Sequence, residues 1–163
     1  MDCRSVREDS RAGMSTLAAI TASCTLAAGT TFNLPPALLV AIVQVESAGD
    51  PRAIGRNANG TYDIGLMQIN SQWLPVLEKA GITKKSLYDP CVNIHVGAWI
   101  LAQEVERYGY TWEAIGAYNA GPYSERSMHR KLPVYQNYAK RVIKIWRRLT
   151  LLMNSQLLAK ASR

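Results

Sequence analysis

The chain has 163 residues, 48% of them hydrophobic, and a formal net charge of +7. That length supports one domain with a real core, and that apolar content argues against disorder away from the ends. No apolar run reaches the roughly 18 residues a membrane-spanning helix needs, and two distant histidines with no CxxC pair give no structural metal site.

Residues 1–23 carry Arg4, Arg7 and Arg11 ahead of a mild apolar stretch, residues 14–28. The layout resembles a secretory signal. Hydroxyl residues such as Ser15, Thr16 and Thr21 dilute it, and Asp2, Glu8 and Asp9 spoil its positive flank. The segment reads either as a weak, cleavable signal or as an Ala-rich first helix. Pro35-Pro36 suits a helix start, with Asn33 as its cap. The apolar run that follows carries a helix to about Ser47, where Gly49-Asp50-Pro51 stops it. Asn59-Gly60 signals a hairpin, because both residues tolerate positive φ, and residues 54–56 and 62–65 are its strands.

Residues 66–77 read as a short helix broken by Pro75, and residues 83–88 as another helical turn. After Asp89-Pro90, residues 91–108 form a long helix with Ile94, Ala98, Leu101 and Val105 on one stripe. Gly109 is its C-cap. Thr111 caps the next helix, which carries Trp112, Ile115 and Tyr118 and ends at Asn119-Ala120-Gly121-Pro122. A last helix, residues 133–158, has Tyr138, Val142, Ile145 and Leu149 on one side and mostly basic residues on the others. The expected fold is mainly α, with one small β-hairpin.

The charge is uneven. Residues 121–163 hold ten Lys or Arg and one acid, Glu125. Such a segment can meet polyanions, or it can be a solvated face. No nucleic-acid motif accompanies it, so a nucleic-acid partner is not expected. The cysteines are Cys3, Cys24 and Cys91. If Cys3 leaves with a signal, Cys24 and Cys91 remain as an even pair, either disulfide-bonded in an oxidising compartment or buried as free thiols.

Glu46 carries the strongest chemical signal. It ends an almost wholly apolar helix, and Asp63 follows 17 residues later. Burial disfavours a charged carboxylate, so such a glutamate keeps its proton near neutral pH, as a general acid must. A second carboxylate nearby suggests cleavage of a glycosidic bond. Alone, Glu46 could equally cap its helix, and Asp63 could be an exposed strand residue. In the stretch from Gly65 to Asn70, Gly65 permits close approach of a ligand, and Gln68 and Asn70 can read sugar hydroxyls and amides. Tyr118 and Asn119 offer a hydroxyl and an amide at a helix end, or else a core tyrosine and an ordinary cap.

Four blocks in order carry a resemblance: Glu46-Ser47, Gly65-Leu66-Met67-Gln68-Ile69-Asn70, Ala117-Tyr118-Asn119-Ala120-Gly121, and Tyr138. Over residues 24–145 the chain resembles lytic transglycosylases of the soluble-lytic type, in the goose-lysozyme-like superfamily. It is most similar to the small specialised members that accompany secretion, conjugation or pilus machines. The resemblance implies a lysozyme-like catalytic domain over residues 24–150, with the hairpin beside its cleft and a basic end at residues 151–163. It implies that Glu46 is the acid/base and that Ser47, Gly65, Met67 and Gln68 line the groove. Tyr118 and Asn119 then orient Glu46 and the substrate, Tyr138 approaches the catalytic centre, and Cys24 and Cys91 match a cysteine pair of the specialised subgroup. The implied substrate is the glycan strand of peptidoglycan, cut at the MurNAc–GlcNAc bond to a 1,6-anhydro product. No cofactor is implied, and the location is periplasmic or exported. The alternatives are a muramidase using Glu46 and Asp63, and an inactive wall-binding scaffold.

Overall fold

The computed structural model describes residues 3–120 and 132–161, with side chains for residues 17–120 and 133–160. The expected helix end at Gly121-Pro122 lies outside the described residues. In chain order the elements are α1 (Cys3–Phe32), α2 (Pro36–Ser47), β1 (Ile54–Arg56), β2 (Tyr62–Ile64), β3 (Ile69–Asn70), a 3-10 turn (Ser71–Trp73) and α3 (Leu74–Leu77). Two more 3-10 turns (Glu78–Ala80, Ser86–Tyr88) lead to α4 (Pro90–Tyr108), α5 (Trp112–Ala120) and α6 (Leu132–Ala161). The fold is mainly α and lysozyme-like, with a small antiparallel sheet to one side.

α2 is the axis of the core. Its Leu38, Leu39, Ala41, Ile42 and Val43 are buried, packed between α1 and α6. An apolar helix gains most of its stability from such burial rather than from propensity. Pro36 sits at its first turn, where a missing N–H costs nothing. Asn33 does not cap it. Asn33 is the left-handed residue that ends α1 (φ 53°), and Pro35 holds the N-cap position without a side-chain bond. α1 itself runs without a break through residues 23 and 24.

The two expected strands pair as Ile54↔Ile64, Gly55↔Asp63 and Arg56↔Tyr62. Their turn is closed by Asn57 N–H to Thr61 O (2.9 Å) and Gly60 N–H to Asn57 O (3.0 Å). Only Gly60 takes positive φ (82°); Asn59 does not. Its side chain instead accepts from the Thr61 N–H and hydroxyl. A third strand joins the hairpin, with Asp63↔Asn70 and Ile64↔Ile69. Residues 66–77 therefore hold a strand and two short turns of helix rather than one broken helix. Pro75 lies in the first turn of α3, where it starts the helix.

Asp89 caps α4 by accepting the Val92 N–H at 3.0 Å, and Gly109 ends it in a left-handed φ of 70°. Thr111 turns back, its hydroxyl donating to Tyr108 O at 3.1 Å. Ile94, Ala98 and Leu101 are buried on the expected stripe. Cys24 on α1 and Cys91 on α4 are joined by a disulfide with a Cα–Cα distance of 5.0 Å. α6 crosses α2 and α5 and buries Tyr135, Tyr138, Ala139 and Val142.

Candidate active site

A polar cleft of about 590 Å³ lies between the end of α2, the sheet, the end of α5 and the start of α6. Glu46, Asp63, Gln68, Asn70, Tyr118 and Asn119 all line it. Residues from four separate elements thus converge on one groove.

Glu46 enters it from the last turn of α2. The left-handed Ala48 (φ 53°) ends the helix two residues after it, so the carboxyl stands at the lip. Burial pushes its pKa up to about 7. The Tyr138 hydrogen bond opposes that rise, the negative charge of Asp63 adds to it, and the Arg141 guanidinium lowers it. The Tyr138 hydroxyl donates to Glu46 Oε1 at 2.6 Å. Burial and the charge of Glu46 raise the Tyr138 pKa well above its ordinary value, so this donor keeps its proton at physiological pH. The Arg141 guanidinium lies 5.9 Å over the Tyr138 ring and braces it.

Asp63 is held from both sides. Its Oδ2 accepts from Asn57 Nδ2 at 2.8 Å, and its Oδ1 from Asn70 Nδ2 at 2.7 Å. Asn57 and Asn70 belong to the hairpin turn and to β3, so the three-stranded sheet exists around this carboxylate. Asn70 thus serves a neighbouring side chain as well as the cleft. Asn57 was not legible as a functional residue; an Asn three positions before Gly60 looks like ordinary turn chemistry.

Three residues expected in the groove wall work behind it instead. The Ser47 hydroxyl bonds Leu66 O at 2.8 Å, tying the end of α2 to the turn after β2. Gly65 (φ 73°) does admit a close approach, but of protein. A Cβ there would lie 2.4 Å from Asn93 Nδ2 and 2.8 Å from Leu87 O. Met67 is fully buried, with its side chain against Gly97, where an added Cβ would lie 2.5 Å from its sulfur. Its backbone is what reaches the site: Met67 N–H donates to Asn93 Oδ1 (2.8 Å), and Met67 O accepts from the Tyr118 hydroxyl (2.7 Å). Gln68 lines the cleft, with its amide nitrogen on Gly65 O at 2.8 Å.

The sequence does not single out Asn93 as a site residue. It is buried on α4, accepts from Met67, and donates to Ile64 O (2.9 Å) and Leu87 O (2.8 Å). A satisfied amide in an apolar core fixes geometry because every partner would be costly to strand. The available signal was one amide between Val92 and Ile94 in a helix that is otherwise apolar on that side. Tyr135 and Trp73 also line the cleft, and Trp73 is braced edge-on by Trp99 at 5.4 Å.

This arrangement of a raised glutamate facing a clamped aspartate in a polar groove suits acid-assisted cleavage of a carbohydrate chain. Comparison with known proteins points the same way. The transglycosylase SLT domain matches residues 23–138. Invasion protein IagB of Salmonella typhimurium is 49% identical over 129 residues, 78% of each chain. Protein IpgF of Shigella flexneri is 36% identical over 125 residues, 76% of this chain and 82% of that one. The lytic transglycosylase Slt of Pseudomonas aeruginosa, in an inactive mutant form, superposes on 81% of this chain with a TM-score of 0.64 at 24% identity. This chain spans 24% of that structure's length, and the likeness concerns the fold. The chain belongs to the transglycosylase SLT family, enzymes that cleave the glycosidic bonds of peptidoglycan.

Proposed function

We propose that the chain cuts the MurNAc–GlcNAc β-1,4 bond of peptidoglycan and releases a 1,6-anhydro-muramic end, with Glu46 as the sole acid and base. The carrying observation is the Glu46 carboxyl, raised to about 7 and held through Oε1 by Tyr138 at the cleft lip. With Oε1 engaged, Oε2 carries the proton toward the substrate. Glu46 gives that proton to the glycosidic oxygen as the C1–O bond breaks. The substrate's acetamide shares the positive charge at C1. The resulting carboxylate then takes the proton of the muramic 6-hydroxyl, whose oxygen closes on C1. Asp63 lies on the same cleft and adds electrostatic stabilisation of the cationic centre. Gln68, Tyr118 and Asn119 face the sugar, and Ser47, Gly65 and Met67 hold the wall on which Gln68 sits.

The enzyme acts as an exported or periplasmic protein, with residues 24–150 as its catalytic domain. The Cys24–Cys91 bond supports an oxidising compartment, and among the described residues no helix is long and apolar enough to cross a membrane. It opens the wall locally for a secretion, conjugation or pilus apparatus; one relative carries the name invasion protein. Mass spectrometry of digested wall tests the product. Muropeptides lighter by one water than hydrolysed ones are expected. A second reading, a muramidase in which Asp63 serves as nucleophile, is favoured by the presence of Asp63 on the cleft with Glu46. Only hydrated, reducing muropeptides would establish it.

A further inference from the structure

A cavity larger than the cleft lies away from it among the described residues. It is an apolar groove of about 1170 Å³ along α6, lined from Gln136 to Ser155 and floored by Trp112, Ile143, Leu151 and Leu152. A second apolar hollow of about 550 Å³ shares Trp112, Ile143 and Leu151 with it. Nineteen residues of helix separate Gln136 from Ser155, about 28 Å at 1.5 Å per residue. Lys140, Lys144, Arg147 and Arg148 line the groove, and among the described residues none of its lining is acidic. None of the four forms an ion pair among the described residues. The family match ends at residue 138, and most of this surface lies beyond it.

The geometry points to a docking groove for an acidic amphipathic helix of another protein, laid along α6 with its apolar stripe on Ile143 and Leu151 and its carboxylates among the four cations. A long groove with an apolar floor and charged walls accepts a helix through anchors spaced at i, i+3, i+4 and i+7. Complementary charge sets its register and speeds its arrival.

Two other occupants fit less well. A lipid surface takes helices that are apolar on one face. The end of α6 exposes leucines on several sides, with Asn154, Ser155, Gln156 and Lys160 between them. Leu151 and Leu158 share one azimuth, while at 100° per residue Leu157 and Leu152 lie about 100–120° to either side and Met153 points almost opposite. Leu151, Leu157 and Leu158 are 69%, 64% and 73% exposed. Leucines spread that widely around the helix do not all face one flat lipid surface. A second copy of this chain brings the same four cations to the interface and is repelled.

The test is fluorescence anisotropy of a labelled three-heptad peptide of Leu-Glu-Ala-Leu-Glu-Glu-Ala repeats, added to the full chain. The comparators are a scrambled peptide of equal composition, a Lys-for-Glu version, and phosphatidylcholine–phosphatidylglycerol vesicles. The acidic helical peptide is expected to bind in the micromolar range and to weaken steeply with salt. Lys144→Glu/Arg148→Glu should weaken it at least tenfold, and so should Leu151→Ser/Leu152→Ser. Unchanged melting of both variants shows that the fold is intact. Equal binding of the scrambled peptide, or of none, overturns the proposal. Preference for the vesicles, or a dimer in sedimentation that Leu151→Ser/Leu152→Ser dissolves, assigns the groove to lipid or to a second copy and likewise overturns it.

Discussion

The Tyr138 hydroxyl lies 2.6 Å from Glu46 Oε1, joining two side chains 92 positions apart in the sequence. The bond fixes the carboxyl's rotamer and holds its pKa below what burial alone would give. Tyr138→Phe removes one hydrogen bond to a charged group, worth about 1.5–3 kcal/mol. Its expected effects are a fall in kcat of roughly ten- to a hundredfold and an upward move of the alkaline limb of the pH profile. A profile that stays in place while kcat falls would show that Tyr138 only fills space.

Glu46→Gln keeps the shape and loses the proton, so wall cleavage should fall by roughly 10²–10⁴-fold or more. The same substitution has a signature in stability. The folded pKa of Glu46, about 7, lies above the ordinary carboxyl value of 4.5. The folded state therefore holds the proton more tightly than the unfolded one. Its stability contribution is full below about pH 4.5 and is lost as pH rises through 7. Wild-type melting should drop across that window by the equivalent of about 1–3 kcal/mol, and Glu46→Gln should flatten the drop. Parallel melting curves of the two proteins from pH 4 to pH 8 would contradict the buried, raised carboxyl.

The Cys24–Cys91 bond closes a loop of 67 residues between α1 and α4. In the chain-entropy model that is worth roughly 4 kcal/mol. Reductant, or Cys24→Ser with Cys91→Ser, should lower Tm by about 8–16 °C while leaving the cleft chemistry in place. Melting unchanged by reductant would show that the pair contributes nothing.

What the sequence shows and hides follows from where each constraint lives. Glu46, its apolar helix, the hairpin and the Gly109 cap rest on local chemistry and periodicity, and they are legible. β3 is two residues long and exists only because β2 offers it an edge, so no local signal announces it. Gly65 is readable as a special glycine, but not as one that makes room for Asn93 rather than for a ligand. Met67 and Ser47 belong to sequence blocks expected to line the groove, yet act through a backbone and a half-buried hydroxyl. Pairing across 19 to 51 positions decides those roles.

Asn93 tests that point directly. Asn93→Leu strands the Met67 N–H and the Ile64 and Leu87 carbonyls in the core. Each orphaned buried group costs about 1–3 kcal/mol, so a loss of several kcal/mol is expected in urea denaturation. Asn93→Asp keeps the acceptor for Met67 and loses both donors, so it should retain the position of Gln68 better than Asn93→Leu. Equal damage to kcat/KM in well-folded samples of both would show that the Met67 contact does not place the wall.

Asp63 decides between the two chemistries. Its charge helps raise the Glu46 pKa, so Asp63→Asn should move the alkaline limb of activity downward, opposite to Tyr138→Phe. If Asp63 supports the cation electrostatically, Asp63→Asn loses less activity than Glu46→Gln, because the substrate acetamide still shares the charge, and the product remains the anhydro form. The Asn57 and Asn70 clamps extend the test. Asn57→Ala and Asn70→Ala free the carboxylate without removing it, and should cost part of what Asp63→Asn costs. If Asp63 is instead a nucleophile, Asp63→Asn is as inactive as Glu46→Gln, and the unmutated enzyme yields hydrated, reducing ends. Anhydro-muropeptides from both the unmutated enzyme and Asp63→Asn are the expected result, since one acid that later serves as base needs no second carboxylate to close the ring.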